Sequence, residues 1–271
     1  MEEKKNLLLP TSIIKAEIKS PKNLIIFSKP KAGKTSLLAL LPKCLILDFE
    51  DGSDYVDALK VKIIGITAPK NEDPTAFINR KADNKWYLTE VGQAIREAGN
   101  PYKYLAIDTS SALEDMCVGY AEELYSKSPM GKKWFEPDGG KSKYGNILNM
   151  PEGAGYSWLR QAFDKVTNFI KPLADRVIIS GHIKTIQQDK KDTVFSSADL
   201  DLTGKIKRDV ASQSDAIGYL YRKGNKTMIS FKSSDEVACG ARPEHLKNQE
   251  IMVAEEIDGK LISYWDKIYL D

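Results

Sequence analysis

The chain has 271 residues, 42% of them hydrophobic, enough for a sizeable core in one large α/β domain or two small ones. Its 40 Lys and Arg against 38 Asp and Glu give a net charge of +2, which excludes overall charge as an argument for or against a nucleic-acid partner; any polyanion site must come from local clustering. Cys44, Cys117 and Cys239 lie far apart with no C-x-x-C pairing, which excludes a disulfide framework or zinc knuckle, and the opening Met1-Glu2-Glu3-Lys4-Lys5 with its short leucine run is neither a signal peptide nor a spanning helix, so a cytoplasmic protein with no membrane contact is expected.

In chain order, Leu24 to Phe27 reads as a strand, followed by a Gly/Pro/Lys loop and an apolar helical segment, Leu37, Leu38, Leu40 and Leu41, that stops at Pro42. Cys44 to Asp48 is a continuous apolar run ending in acid, as expected of a strand buried on both faces, and Val61 to Ile66 is another. Pro69 to Lys85 reads as a surface connection, and Tyr87 to Ala98 as a helix. Tyr104 to Asp108 is a further buried strand, with Leu113, Met116, Cys117, Tyr120 and Leu124 at helical spacing after it. Periodicity disappears between Ser126 and Gly155, which predicts a long loop carrying Trp134, Phe135 and Tyr144. Leu159, Phe163, Val166, Ile170 and Leu173 then form one helical stripe, and Val177 to His182 a strand. Ile183 to Asp201 predicts a hairpin or flexible loop, Gly204 to Gln213 a short helix, and Tyr219 to Phe231 a hairpin with a Gly-Asn turn. Strands alternating with helices through residue 182 require a mostly parallel sheet flanked by helices, followed by a C-terminal antiparallel hairpin.

Ser28-Lys29-Pro30-Lys31-Ala32-Gly33-Lys34-Thr35, continued by Ser36, fits the P-loop pattern at every fixed position except the first, where Ser28 replaces glycine. It lies between a strand and a helix, the context that lets backbone N–H groups cradle phosphates. Lys34 is expected to reach the β- and γ-phosphates of ATP, and Thr35 to place its hydroxyl on Mg²⁺. If the first position needs a positive φ, Ser28 there is strained. Asp108, at the C-terminal end of a buried strand, is the expected Walker B carboxylate and second metal-site residue; the alternative is that it, or Ser110, caps the following helix. No acidic pair follows Asp108, so a base for hydrolysis must come from elsewhere, Glu50 first and Asp48 as fallback. His182, ending its strand, reads either as a γ-phosphate sensor or as a polar residue at a strand end.

On the motifs Pro30 to Thr35, Leu45 to Gly52, Leu105 to Asp108 and Ser180-Gly181-His182, the chain resembles the RecA-like P-loop ATPases, in particular phage-type nucleotide-binding proteins related to the single-strand annealing ATPases. The resemblance implies an N-terminal extension over 1–21, a RecA-like ATPase domain over 22–245 and a C-terminal extension over 246–271 packed on it. It also implies Glu50 as catalytic base with Lys34, a polar sensor at His182, and a homo-oligomer, ring or filament, in which a basic residue of a neighbour completes the site. Lys205, Lys207, Arg208 and Arg242 are the candidates for that residue. Single-stranded DNA is the implied partner, contacted by Lys132, Lys133, Lys141 and Lys143 interleaved with Trp134, Phe135 and Tyr144, or by Lys184, Lys190 and Lys191 with Gln187 and Gln188. The other reading is a nucleotide-binding loader or regulator that acts through a protein partner with slow or no hydrolysis.

Overall fold

Leu24, Ile25, Ile26 and Phe27 leave no polar alternation, and they form the centre of strand β1 (Asn23–Ser28), covered on both faces. The computed structural model describes residues 12–135, 146–190, 193–234 and 237–270. After β1 come α1 (Lys34–Ala39), β2 (Cys44–Asp48), β3 (Lys60–Gly65), α2 (Pro74–Ala82), β4 (Lys85–Tyr87), α3 (Leu88–Glu97), β5 (Tyr104–Asp108), α4 (Ser110–Ser126) and α5 (Pro129–Phe135). Then follow α6 (Ala154–Ile170), β6 (Arg176–Lys190), β7 (Thr193–Leu200), α7 (Gly204–Gln213), β8 (Ala216–Lys223), β9 (Lys226–Ser230), β10 (Gly240–Ala241), β11 (Glu250–Ile257) and β12 (Lys260–Ser263).

Strands β8, β1, β6, β5, β2, β3 and β4 lie side by side in that order and run parallel. Beyond β8 the sheet turns antiparallel through β9, β11 and β12. This is the mostly parallel, helix-flanked sheet with a C-terminal antiparallel hairpin that the residue pattern requires. Successive side chains of a strand point to opposite faces, so β1 feeds two cores. Ile25 and Phe27 join Leu105, Ile107 and Ile179 under α4 and α6, whose Leu113, Cys117, Leu159, Phe163 and Ile170 are buried there. Leu24 and Ile26 face the other way, onto Leu37 and Leu38 of α1 and onto Trp265, Ile268 and Tyr269 near the C-terminus. Each fully buried Leu, Ile or Phe contributes about 2 kcal/mol relative to exposure, so both layers are needed to hold β1 in the centre. The indole N–H of Trp265 donates to Leu37 O at 2.9 Å, tying this C-terminal layer to the helix that follows the P-loop.

Two segments depart from the sequence expectation, and a third resolves between its alternatives. Within Pro69 to Lys85 the chain forms α2, because Asp73 accepts hydrogen bonds from Thr75 N (2.9 Å) and Ala76 N (3.1 Å), with Pro74 at the first helical position. Within Ser126 to Gly155 it forms α5 and two 3₁₀ turns, Ile147–Asn149 and Pro151–Gly153; residues 136–145 lie outside the described ones. For Ile183 to Asp201 the hairpin holds, and β6 is one continuous strand that leaves the parallel sheet and pairs antiparallel with β7 from Ile183 to Lys190. All three cysteines are free, and burial pushes the Cys44 thiol up to about 12.

Candidate nucleotide site

The strand registers bring the sequence-predicted residues to one edge. Ser28 on β1 stands level with His182 on β6, Asp48 on β2 level with Asp108 on β5, and Ile107 level with Ile179, which sets Asp108 beside Ser180. All of these lie at the C-terminal ends of parallel strands, where sheets of this kind bind ligands. The order β1-β6-β5 is decisive, because it inserts Ser180 and His182 between the P-loop strand and the strand of Asp108.

Ser28 is the last residue of β1, fully buried, and is not in the left-handed region; Lys31 (φ 62°) and Gly33 (φ 94°) take the positive φ values of the loop. The strain expected at Ser28 is therefore absent. Its hydroxyl donates to Lys29 O (2.9 Å) and accepts from Lys34 Nζ (3.2 Å), so serine at this position supports the lysine. Gly33 provides no side-chain cap to α1, and the first intrahelical bond runs from Leu37 N to Gly33 O (3.0 Å). The N–H groups of Lys34, Thr35 and Ser36 precede that bond and have no intrahelical acceptor.

Lys34 is 7% exposed. Its ammonium contacts Ser28 Oγ at 3.2 Å and His182 Nδ1 at 3.4 Å, both uncharged acceptors at long range. Burial pushes its pKa below the ordinary lysine value, and the carboxylates of Asp108 and Glu50 pull partly against that shift. A buried ammonium so thinly satisfied, beside uncapped N–H donors, is a site for an anion.

Asp108 accepts from Thr35 Oγ1 at 2.6 Å on one carboxylate oxygen and from the Ser180 hydroxyl on the other. It does not cap α4: the N-cap there is Thr109, with no side-chain cap bond. Among the described residues no three His, Cys, Asp or Glu side chains converge as a metal cage. Thr35 and Asp108 are instead the pair that fits Mg²⁺, an ion that typically takes one or two protein oxygens and completes its shell with phosphate and water.

Glu50 lies in the loop after β2, and Asp48 fixes that loop. The buried Asp48 carboxylate accepts from Glu50 N (3.1 Å), Gly52 N (3.3 Å), Ser53 N (3.0 Å) and Ser53 Oγ (2.5 Å). With its oxygens so occupied, Asp48 is a loop anchor and Glu50 is the carboxylate left at the site. Glu50 Oε1 accepts from the Thr109 hydroxyl and lies 3.0 Å from His182 Nε2. With Lys34 as an ammonium, which only donates, His182 Nδ1 accepts and Nε2–H donates to Glu50. Lys34, His182 and Glu50 thus form one hydrogen-bonded chain across the edge.

Thr109, Ser180 and Ser53 were not identified from the sequence. The signals that point to two of them are the hydroxyl run after a strand-end acid, Thr109-Ser110-Ser111, and the motif Ser180-Gly181-His182. Of the basic residues considered for completing a neighbour's site, Lys207 pairs with Asp199, and Arg242 bonds Asp215 Oδ1 (3.3 Å) and Ser212 O (2.8 Å). Asp215 also accepts from Lys22 N and Asn23 N, so Arg242 sits at the start of β1, the edge opposite the P-loop. Lys205 and Arg208 are exposed on α7. Lys132 is exposed, and Lys184 lies 3.6 Å from Asp201. Lys141, Lys143, Tyr144 and Lys191, and the side chains of Lys133, Trp134, Phe135, Gln187, Gln188 and Lys190, lie outside the described residues.

The lowered pKa of Lys34 makes a pH prediction. An anion in the cradle raises that pKa, so binding takes up a proton in the window between the free and bound values. ATP affinity is expected to fall as pH rises through that window and to lose this pH dependence below it, where the lysine is charged in both states. Calorimetric titration at alkaline pH below the ordinary lysine value, in two buffers of different ionisation heat, should show net uptake; identical heats would refute it. In the free protein the sign is opposite, because the charged lysine costs stability below its folded pKa and the cost is relieved as pH rises through it.

A P-loop between strand and helix, a strand-end carboxylate bonded to its threonine, and a parallel sheet presenting both at one edge define a P-loop NTPase. A family model described as an AAA domain matches residues 20–242, and the chain belongs to that family. Solved structures similar to it include the RadB recombinase, with 9% identity over 90% of this chain and 92% of that one at a TM-score of 0.37. Another is a KaiC-like protein from the hyperthermophilic archaeon Pyrococcus horikoshii, with 10% identity over 90% and 89% at 0.40. A search of curated proteins returned no match. Among the described residues no helix is long and apolar enough to cross a membrane.

Proposed function

We propose that this protein is a Mg²⁺-dependent ATPase that acts on single-stranded DNA in recombination or annealing of the phage type, assembling as a homo-oligomer. The observation that carries the ATPase reading is the chain Lys34–His182–Glu50 set beside the bonded pair Thr35–Asp108. Lys34 neutralises the β- and γ-phosphates, and the backbone from Lys29 to Ser36 surrounds them. Glu50, held by Thr109 and His182, orients the attacking water and accepts its proton. Lys34 links the terminal phosphate to His182 Nδ1, so that His182 reports on the phosphate through the ammonium they share. Thr35 and Asp108 would hold the metal ion, which would supply positive charge to offset that of the phosphates.

The DNA reading is supported by β6. It carries His182 and continues without a break into the β6–β7 hairpin, where Lys184 is 62% exposed at the base. A shift of His182 with the Lys34 ammonium would move the root of that hairpin. The test is ATP hydrolysis by the purified chain with and without single-stranded DNA at low and moderate salt. Stimulation of tenfold or more that fades as salt rises is the expected result, since phosphate contacts lose affinity through counterion uptake; here tenfold is an order-of-magnitude threshold, about 1.4 kcal/mol. A slow rate indifferent to DNA would overturn the DNA role and leave a nucleotide-binding module that works through a protein partner.

A further inference from the structure

The loop at 28–35 has a basic neighbour that is not part of its motif. β8 runs parallel to β1, with Tyr219 level with Phe27, and continues to Lys223 while β1 ends at Ser28. Its last residues therefore rise alongside the loop. Alternation along β8 buries Ala216 and Leu220 on the α1 side of the sheet, and Arg222 belongs to that same side. There its guanidinium covers Gly33: a Cβ built on Gly33 would lie 3.3 Å from Arg222 Nη2 and 3.9 Å from Nε. Gly33 is needed twice over, for its φ of +94° and for this approach.

The edge of the guanidinium that meets the loop is the Nε–Nη2 fork, the edge that pairs two oxygens of a phosphate; its flat face is not what is presented. The remaining nitrogen, Nη1, lies 3.8 Å from Glu256 Oε2 on β11, with the two side chains 44% and 50% exposed. An ion pair this long and this wet is weak and readily exchanged. Lys29 and Lys31, exposed in the loop, and the buried Lys34 add positive charge, and the loop carries no acid. Four cations, set against Glu256 at Arg222 and against Asp108 and Glu50 near Lys34, leave a positive surface that gains by taking an anion.

We propose that Arg222 is a phosphate clamp contributed by the same chain: on nucleotide binding its guanidinium exchanges Glu256 for the diphosphate portion shared by ATP and ADP, closing the loop from the β8 side. This rests on the reading of the loop as a nucleotide site. It also places a nucleotide-sensitive contact between the P-loop and the antiparallel strands β9 and β11.

The test is equilibrium titration of the full chain with ATP and with ADP, by calorimetry in Mg²⁺ buffer. Arg222→Ala is expected to weaken both nucleotides about tenfold, the size of one charge-assisted hydrogen-bonded contact. Arg222→Lys should recover only part, because a point charge lacks the fork. Glu256→Gln should tighten both by removing the competing carboxylate, an effect that a merely structural Arg222–Glu256 strut would not give. Binding by Arg222→Ala within about twofold of the parent overturns the clamp. So does weakening by Glu256→Gln comparable to that of Arg222→Ala. If alanine compromises folding, the Lys and Gln variants decide by the same criteria. Lys34→Ala separates the two levels: unchanged ATP binding there would remove the nucleotide site itself, whereas loss there with intact Arg222→Ala binding would remove only the clamp.

Discussion

Glu50→Gln is expected to lower the turnover number for ATP hydrolysis by about a hundred- to ten-thousandfold, the usual worth of a positioned general base, while ATP binding stays within about twofold of the parent. The amide keeps the size of the side chain, and its oxygen can still accept from the Thr109 hydroxyl and from His182 Nε2–H. Position is therefore retained and only basicity is lost. Nothing between Glu50 and the cradle changes, because Asp48 fixes the loop through Glu50 N and Ser53, not through the Glu50 side chain. Single-turnover hydrolysis together with equilibrium nucleotide binding would check this. Hydrolysis at the parent rate would remove Glu50 as the base and leave the hydrogen-bonded Lys34–His182–Glu50 chain without a catalytic role.

What the sequence made legible follows from how each feature is encoded. Buried parallel strands are written as unbroken apolar runs, so Leu24–Phe27, Cys44–Asp48, Tyr104–Asp108 and Val177–His182 could be read directly, as could the 159–170 stripe of α6. The P-loop and the strand-end acids are local signals and were equally visible. Strand order is not local: the placement of β6 between β1 and β5, which brings Ser180 to Asp108 and His182 to Lys34, depends on pairing across some 150 residues. The division of labour between Asp48 and Glu50 is set by which carboxylate the turn amides occupy, and two acids in one acidic loop look alike until those bonds are known. Helix α2 was masked by a polar composition, although Asp73-Pro74 is a local start signal. Arg222 sits in a charged cluster flanking a turn, where composition suggests solvent, and only the parallel register of β8 with β1 brings it to Gly33.

Lys34→Ala should separate binding from folding. The ammonium is the one buried positive charge of the cradle, and its few contacts, Ser28 Oγ and His182 Nδ1, are weak in the free protein. Its removal deletes several charge-assisted contacts to a bound triphosphate, expected to weaken ATP about a hundredfold. The free fold should change little, because the desolvation cost of the charged lysine disappears together with its attraction to Asp108 and Glu50. The two effects are read in one thermal melt. At an ATP concentration about a hundred times the parent dissociation constant, ligand linkage stabilises the parent by about 2.7 kcal/mol, and a hundredfold weaker variant by only about 0.4 kcal/mol. The expected result is a nearly unchanged melting temperature without nucleotide and an almost complete loss of the nucleotide-induced rise. A rise equal to that of the parent would mean that phosphate is held elsewhere. A collapse of the nucleotide-free melting temperature would mean that Lys34 is needed as counter-ion to Asp108 and Glu50 even in the empty cradle, and would reverse the sign assigned to its burial.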